Sequence, residues 1–79
     1  MPRYFFDVIE GDCAFPDKHG AFHQSAGIAI VEALVIAGEL AQDRRYHDCL
    51  VEVIDESGRE IATVPVAPRQ KSFRVRTLS

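Results

Sequence analysis

The chain has no tryptophan, one methionine and only two cysteines in 79 residues. Cys13 and Cys49 can form at most one bridge, far short of the disulfide framework of a small secreted scaffold. Reduced thiols and a cytoplasmic location are therefore expected. The most apolar stretch is broken by Glu32 and Glu39, which excludes a membrane-spanning helix and leaves the expectation of no membrane partner. The opening MPRYFFDVIEGD carries acid early and lacks an apolar signal core, so no targeting segment is expected. There is no Cys-x-x-Cys pair and no His-Glu-x-x-His. Gly11, Gly20, Gly27, Gly38 and Gly58 are too scattered to form a phosphate-binding loop. Repeats and low-complexity runs are absent as well.

What is present is enough for one small globular domain. Hydrophobic residues make up 47% of the chain and charged residues 27%, the profile of a folded protein rather than a disordered one. A chain of this length hides only about 60% of its unfolded surface, so its stability is expected to be modest. The formal charge of −3 is unevenly spread. Up to Val66 there are five basic residues against twelve acidic ones, net −7, whereas APRQKSFRVRTLS carries four basic residues and no acid, net +4. Four charges with one aromatic, Phe73, make a weak nucleic-acid footprint beside an acidic body that repels phosphate. Nucleic acid is not the expected partner.

The chain is organised around Ser25–Asp43, SAGIAIVEALVIAGELAQD, which reads as a helix capped by the Ser25 hydroxyl. Ala26, Ile30, Ala33, Leu34, Ala37, Leu40 and Ala41 recur at three-and-four spacing and are the expected core face. Before it, Arg3–Glu10 is rich in aromatic and β-branched residues, with Tyr4, Phe6 and Val8 on one face of a strand. Cys13–Phe15 can return as a short strand, Asp17–Gly20 is a turn signature, and Ala21–Gln24 is an extended lead into the cap. After the helix, His47–Asp55 and Arg59–Val66 read as a hairpin closed at Glu56–Gly58. Pro65 cannot donate to a ladder and marks an edge or a strand end. Alternation over Ser72–Thr77 is compatible with a last strand and equally with a solvated tail. The expected fold is α+β: an antiparallel sheet of about four strands in ββαββ order with one helix across one face. Residues 1–66 form the expected single domain and residues 67–79 a basic tail.

Several side chains carry potential chemistry. Cys13, Asp17, His19, His23, His47 and Cys49 are all metal-ligand types, and His19 and His23 have helical ligand spacing. Gly20 lies between those histidines in a turn, however, and removes the geometric meaning of the spacing. On a strand His47 and Cys49 would share a face, but Asp48 and Glu52 make the surroundings acidic and unfavourable to a thiolate. No catalytic, cofactor or metal residues are assigned, and a non-enzymatic protein is expected.

PRYFFDV, the Asp17–Gly20 turn, the alanine-rich helix and VEVIDESGREIATVPV together resemble a bacterial family of domains of unknown function, number 6894. The resemblance covers about Pro2 to Val66 and brings no catalytic or ligand residues with it. It implies a small stand-alone bacterial protein. Members of that family place acidic and arginine residues on the outer helix face, where this chain has the more apolar GIAIVEALVIAG. FPDKHGAFHQSAGIAIVEALVIAGEL is also similar to the FPD…G…EAL segment of HicB-type antitoxins. That likeness, over about a third of the chain, implies a small toxin as an alternative protein partner.

The helix has more apolar surface than one sheet can cover. With Glu32 at the centre of its solvent side, Gly27, Ile28, Val31, Val35 and Gly38 form a flank without a partner in a single-helix domain. Either the C-terminal tail covers this flank or a second copy of the chain does, the two glycines allowing close approach. The expectation is a binding domain acting as a homodimer through that flank.

Overall fold

The computed structural model describes residues 1–66 and the backbone of residues 74–75. Its strands are β1 (Arg3–Glu10), β2 (Cys13–Phe15), β3 (Ala21–Phe22), β4 (Cys49–Ile54), β5 (Glu60–Pro65) and β6 (Arg74–Val75). One helix, α1 (Ala26–Leu40), follows β3, and a short 3₁₀ turn over Arg44–Tyr46 leads into β4. The sheet is antiparallel in the order β2-β1-β4-β5-β6, with β3 also paired to β1. The fold is α+β, a single helix laid on an antiparallel sheet. The rest of the Ser72–Thr77 stretch lies outside the described residues.

β1 and β4 form the centre, with Phe6 opposite Val53 and Val8 opposite Val51. Period-two alternation turns Tyr4, Phe6, Cys49, Val51 and Val53 toward the helix, and all five are buried. Val64 faces Val51 and Ala62 faces Val53 across β5. Between Val53 and Ile54 the register slips, so that Ile54 pairs with Glu60 and Ile61 is the extra residue of a bulge. Ile61 and Ala62, neighbours in the chain, are consequently both buried. Pro65 is the last residue of β5, where a missing N–H costs the ladder little.

α1 begins where expected: Ser25 is extended, and its Oγ accepts a hydrogen bond from the Ile28 amide at 3.3 Å. It packs mainly on β4 and β5 through Ala29, Ile30, Ala33 and Ala37. Three of these four are alanines, so the helix sits close to the sheet. Ala26, Leu40 and Ala41 flank this core, as their spacing predicts. Leu34 does not. It is 41% exposed, and Ala29 and Ile36 take the buried side instead. The phase error has a physical origin: the helix is apolar nearly all round, so periodicity alone does not fix which side meets the sheet.

Asp17 joins the first turn to β1. Its carboxylate accepts from the amides of Phe6 (3.2 Å), His19 (3.1 Å) and Gly20 (3.0 Å), while its own amide donates to Asp7 Oδ1 at 2.9 Å. Gly20 has φ of +67°, and a Cβ there would meet the Tyr4 carbonyl oxygen at 2.8 Å. Only glycine lets this turn lie so close to β1. The β4–β5 hairpin is similarly tied, with Asp55 Oδ1 accepting from the amides of Ser57 and Arg59 and from the Ser57 hydroxyl.

Candidate functional site on the outer face of the helix

Successive residues of a helix are rotated by about 100°, so the side of α1 opposite Ala33 carries Val31 and Val35, with Gly27, Ile28 and Gly38 beside them. Val31 is 58% exposed, Val35 51% and Ile28 46%. Gly27 and Gly38 are exposed as well. All five residues singled out from the sequence thus lie on one strip, and Leu34, assigned to the core by its spacing, belongs to the edge of this strip. Glu32 also departs from its expected place. It is half-buried at the side of the helix rather than central to the solvent face. The outermost line of α1 is aliphatic, and the acids Glu32 and Glu39 border it on one side only.

Neither glycine is required by the chain itself. A Cβ at Gly38 would meet nothing within 4 Å, and one at Gly27 only Ser25 Oγ at 3.8 Å. Both residues have ordinary negative φ. Each nevertheless lowers local helix propensity by about 1 kcal/mol relative to alanine.

The chemistry-bearing residues are dispersed. His19 is exposed on the turn, whereas His23 packs its ring edge-on to Phe6, centroids 5.9 Å apart, with its Nε2 buried. His47 and Cys49 do not share a strand face, because β4 starts only at Cys49. His47 instead lies in the preceding turn, with Nε2 2.7 Å from the carbonyl oxygen of Ala41 at the C-terminal end of α1. Such a contact satisfies a carbonyl that the helix leaves unpaired. Among the described residues no three of histidine, cysteine, aspartate and glutamate gather to hold a metal ion. Cys13 is exposed and Cys49 buried, both as free thiols. Burial pushes the Cys49 thiol up from its ordinary pKa, and the nearby charges of Glu10 and Asp48 push it further. It is held as the neutral thiol rather than the nucleophilic thiolate. Asp43 is driven the other way: hydrogen bonds from the Arg45 side chain and amide hold its carboxyl below the usual range.

No described helix is long and apolar enough to cross a membrane. The fold and this surface define a small one-helix α+β domain with an aliphatic outer helix face. The family description "Domain of unknown function (DUF6894)" matches residues 3–67, and the chain belongs to that family. No curated protein and no solved structure matches it.

Proposed function

We propose that this protein is a non-catalytic binding domain of the bacterial cytoplasm that pairs with a second copy of itself through α1. The observation that carries the reading is the outermost line of the helix, where Ile28, Val31 and Val35 stand about half exposed between two exposed glycines. A solvated helix face has no physical use for this pattern, since lysine, glutamate or alanine would make a better and more soluble helix. A second copy is a fitting occupant because the strip is uncharged and continuous along a helix about 22 Å long. A two-fold contact requires only that such a surface match itself. Glycine at 27 and 38 then has a purpose, since it lets the two backbones approach. Two free thiols are consistent with a reducing compartment.

Light scattering on the wild-type chain across a dilution series tests the reading. The expected result is the mass of a dimer that falls toward the monomer on dilution. A monomer at every concentration would remove the second copy and leave the strip to a different protein.

A further inference from the structure

The C-terminal end of α1, the 3₁₀ turn and the β1–β2 end of the sheet enclose a cavity of about 350 Å³ lined by Val8, Glu10, Phe15, Leu40, Tyr46 and Cys49. That volume lies within the range of small-molecule sites, about 300–1,000 Å³. We propose that this cleft binds a small organic cation, an amine carried on an aromatic or aliphatic body. The site lies on a different part of the molecule from the helix strip, and Leu40 belongs to the core-facing side of α1. The inference therefore stands or falls independently of the dimer.

The walls select an apolar body. Val8 and Leu40 are partly buried against the core, and Cys49 closes the inner end as a neutral thiol. Two aromatic rings border the cavity. Phe15, on the short strand β2, is 57% exposed beside this hollow, so its ring does not fill the space it flanks. A guest in the cleft would cover part of that ring, and an aromatic ring is a favourable partner for a cation.

The charge selects a positive head. Among the described residues Glu10 is the one carboxylate lining the cavity, and no hydrogen bond occupies it. Asp48 adds a second negative charge, since both acids are felt at the Cys49 sulfur. Among the described residues no basic side chain lines the site. Arg45 lies over the Tyr46 ring, 5.6 Å from its centroid, but its guanidinium is held by Asp43 at 2.7 Å. Among the described lining residues an anion would meet the Glu10 carboxylate and no cation.

The test uses the full chain labelled with ¹⁵N and three probes of one shape: phenethylamine, 2-phenylethanol and 3-phenylpropanoate. Titration into the millimolar range should give saturable amide shifts at Glu10, Phe15, Leu40 and Cys49 with the amine. Binding of the alcohol should be weaker by about tenfold, the loss expected for one charge-assisted contact. The anion should give no saturable shift. Glu10→Gln should bring the amine down to the affinity of the alcohol, and Phe15→Ala, at an exposed position that leaves the core intact, should weaken both. Absence of saturable shifts with phenethylamine overturns the proposal. So does equal binding of amine and alcohol, or an unchanged affinity in the Glu10→Gln variant.

Discussion

Asp17 Oδ2 accepts a hydrogen bond from the backbone amide of Phe6 at 3.2 Å, so a turn carboxylate stands in for a strand. β2 pairs with Val8–Glu10 and β3 with Arg3–Tyr4, leaving the middle of that edge of β1 without a strand partner. Asp17 fills the gap. Burial by itself would raise its pKa, but donors from Gly20, Phe6 and His19 outweigh that and hold the carboxyl below its ordinary value.

A folded-state carboxyl with a depressed pKa contributes stability that is present above the unfolded-state value. That contribution is lost as the pH falls through the folded value. Asp17→Asn would turn an amide NH₂ or a weaker acceptor toward the Phe6 amide, at a cost of about 1–3 kcal/mol at neutral pH. It should also flatten the acid limb of the stability curve. Urea unfolding of both proteins at neutral and acid pH measures the two effects. A loss below about 0.5 kcal/mol would show that water replaces the carboxylate without penalty.

The helix phase gives a paired prediction. Ile30 is buried and Leu34 is 41% exposed, although both are large aliphatic residues four apart. Ile30→Ala should cost about 2–5 kcal/mol through the cavity it leaves. Leu34→Ala should cost about 1 kcal/mol or less. Denaturant unfolding at low protein concentration compares them directly, and equal losses would return Leu34 to the core.

The cysteines should divide by burial. A thiol reagent should modify Cys13 quickly in the native protein and Cys49 only on unfolding, giving one fast thiol in buffer and two in urea. Cys49 should stay slower than Cys13 as the pH rises, because burial shields it and, with the charges of Glu10 and Asp48, pushes its pKa up. Fast native labelling of both would mean that the cleft end of the sheet opens readily.

Gly38→Ala should act with opposite signs on folding and association. Nothing within 4 Å obstructs the new methyl group, so the dilute protein should gain up to about 1 kcal/mol in stability. In the dimer that methyl would stand where the helices approach, and association should weaken. Unfolding at low concentration and the dissociation constant from sedimentation report the two effects separately. Unchanged or tighter association would remove close approach at Gly38 from the account.

Much of the fold was legible because the main elements carry local signals. β4 alternates cleanly, β1 and β5 are rich in β-branched or aromatic residues, Ser25 marks the start of α1, and the Glu56–Gly58 turn closes the hairpin. The pairing of β1 with β4 joins residues some forty positions apart, which no local pattern encodes. β3, at two residues, is too short to show a period, and its pairing depends on the Asp17 turn. The bulge at Ile61 shows only as two adjacent apolar residues. The candidate strip was recognised by composition, but its centre was misplaced toward Glu32 because an almost wholly apolar helix has little amphipathic direction. The cleft was not legible at all. Val8, Phe15, Leu40 and Tyr46 come from separate elements, and only the folded sheet brings them together.

The central claim is that the aliphatic line of α1 is a contact surface between copies, and Val31→Glu tests it most directly. Val31 is the most exposed of the four large aliphatics on this face, so a charge there leaves the core untouched. Sedimentation velocity with circular dichroism should be run on both proteins at about 100 μM, where a contact of about 5.5 kcal/mol is half formed. The account predicts a wild-type dimer and a folded, monomeric variant. A wild type that is monomeric at this concentration, or a variant that remains dimeric, would contradict it.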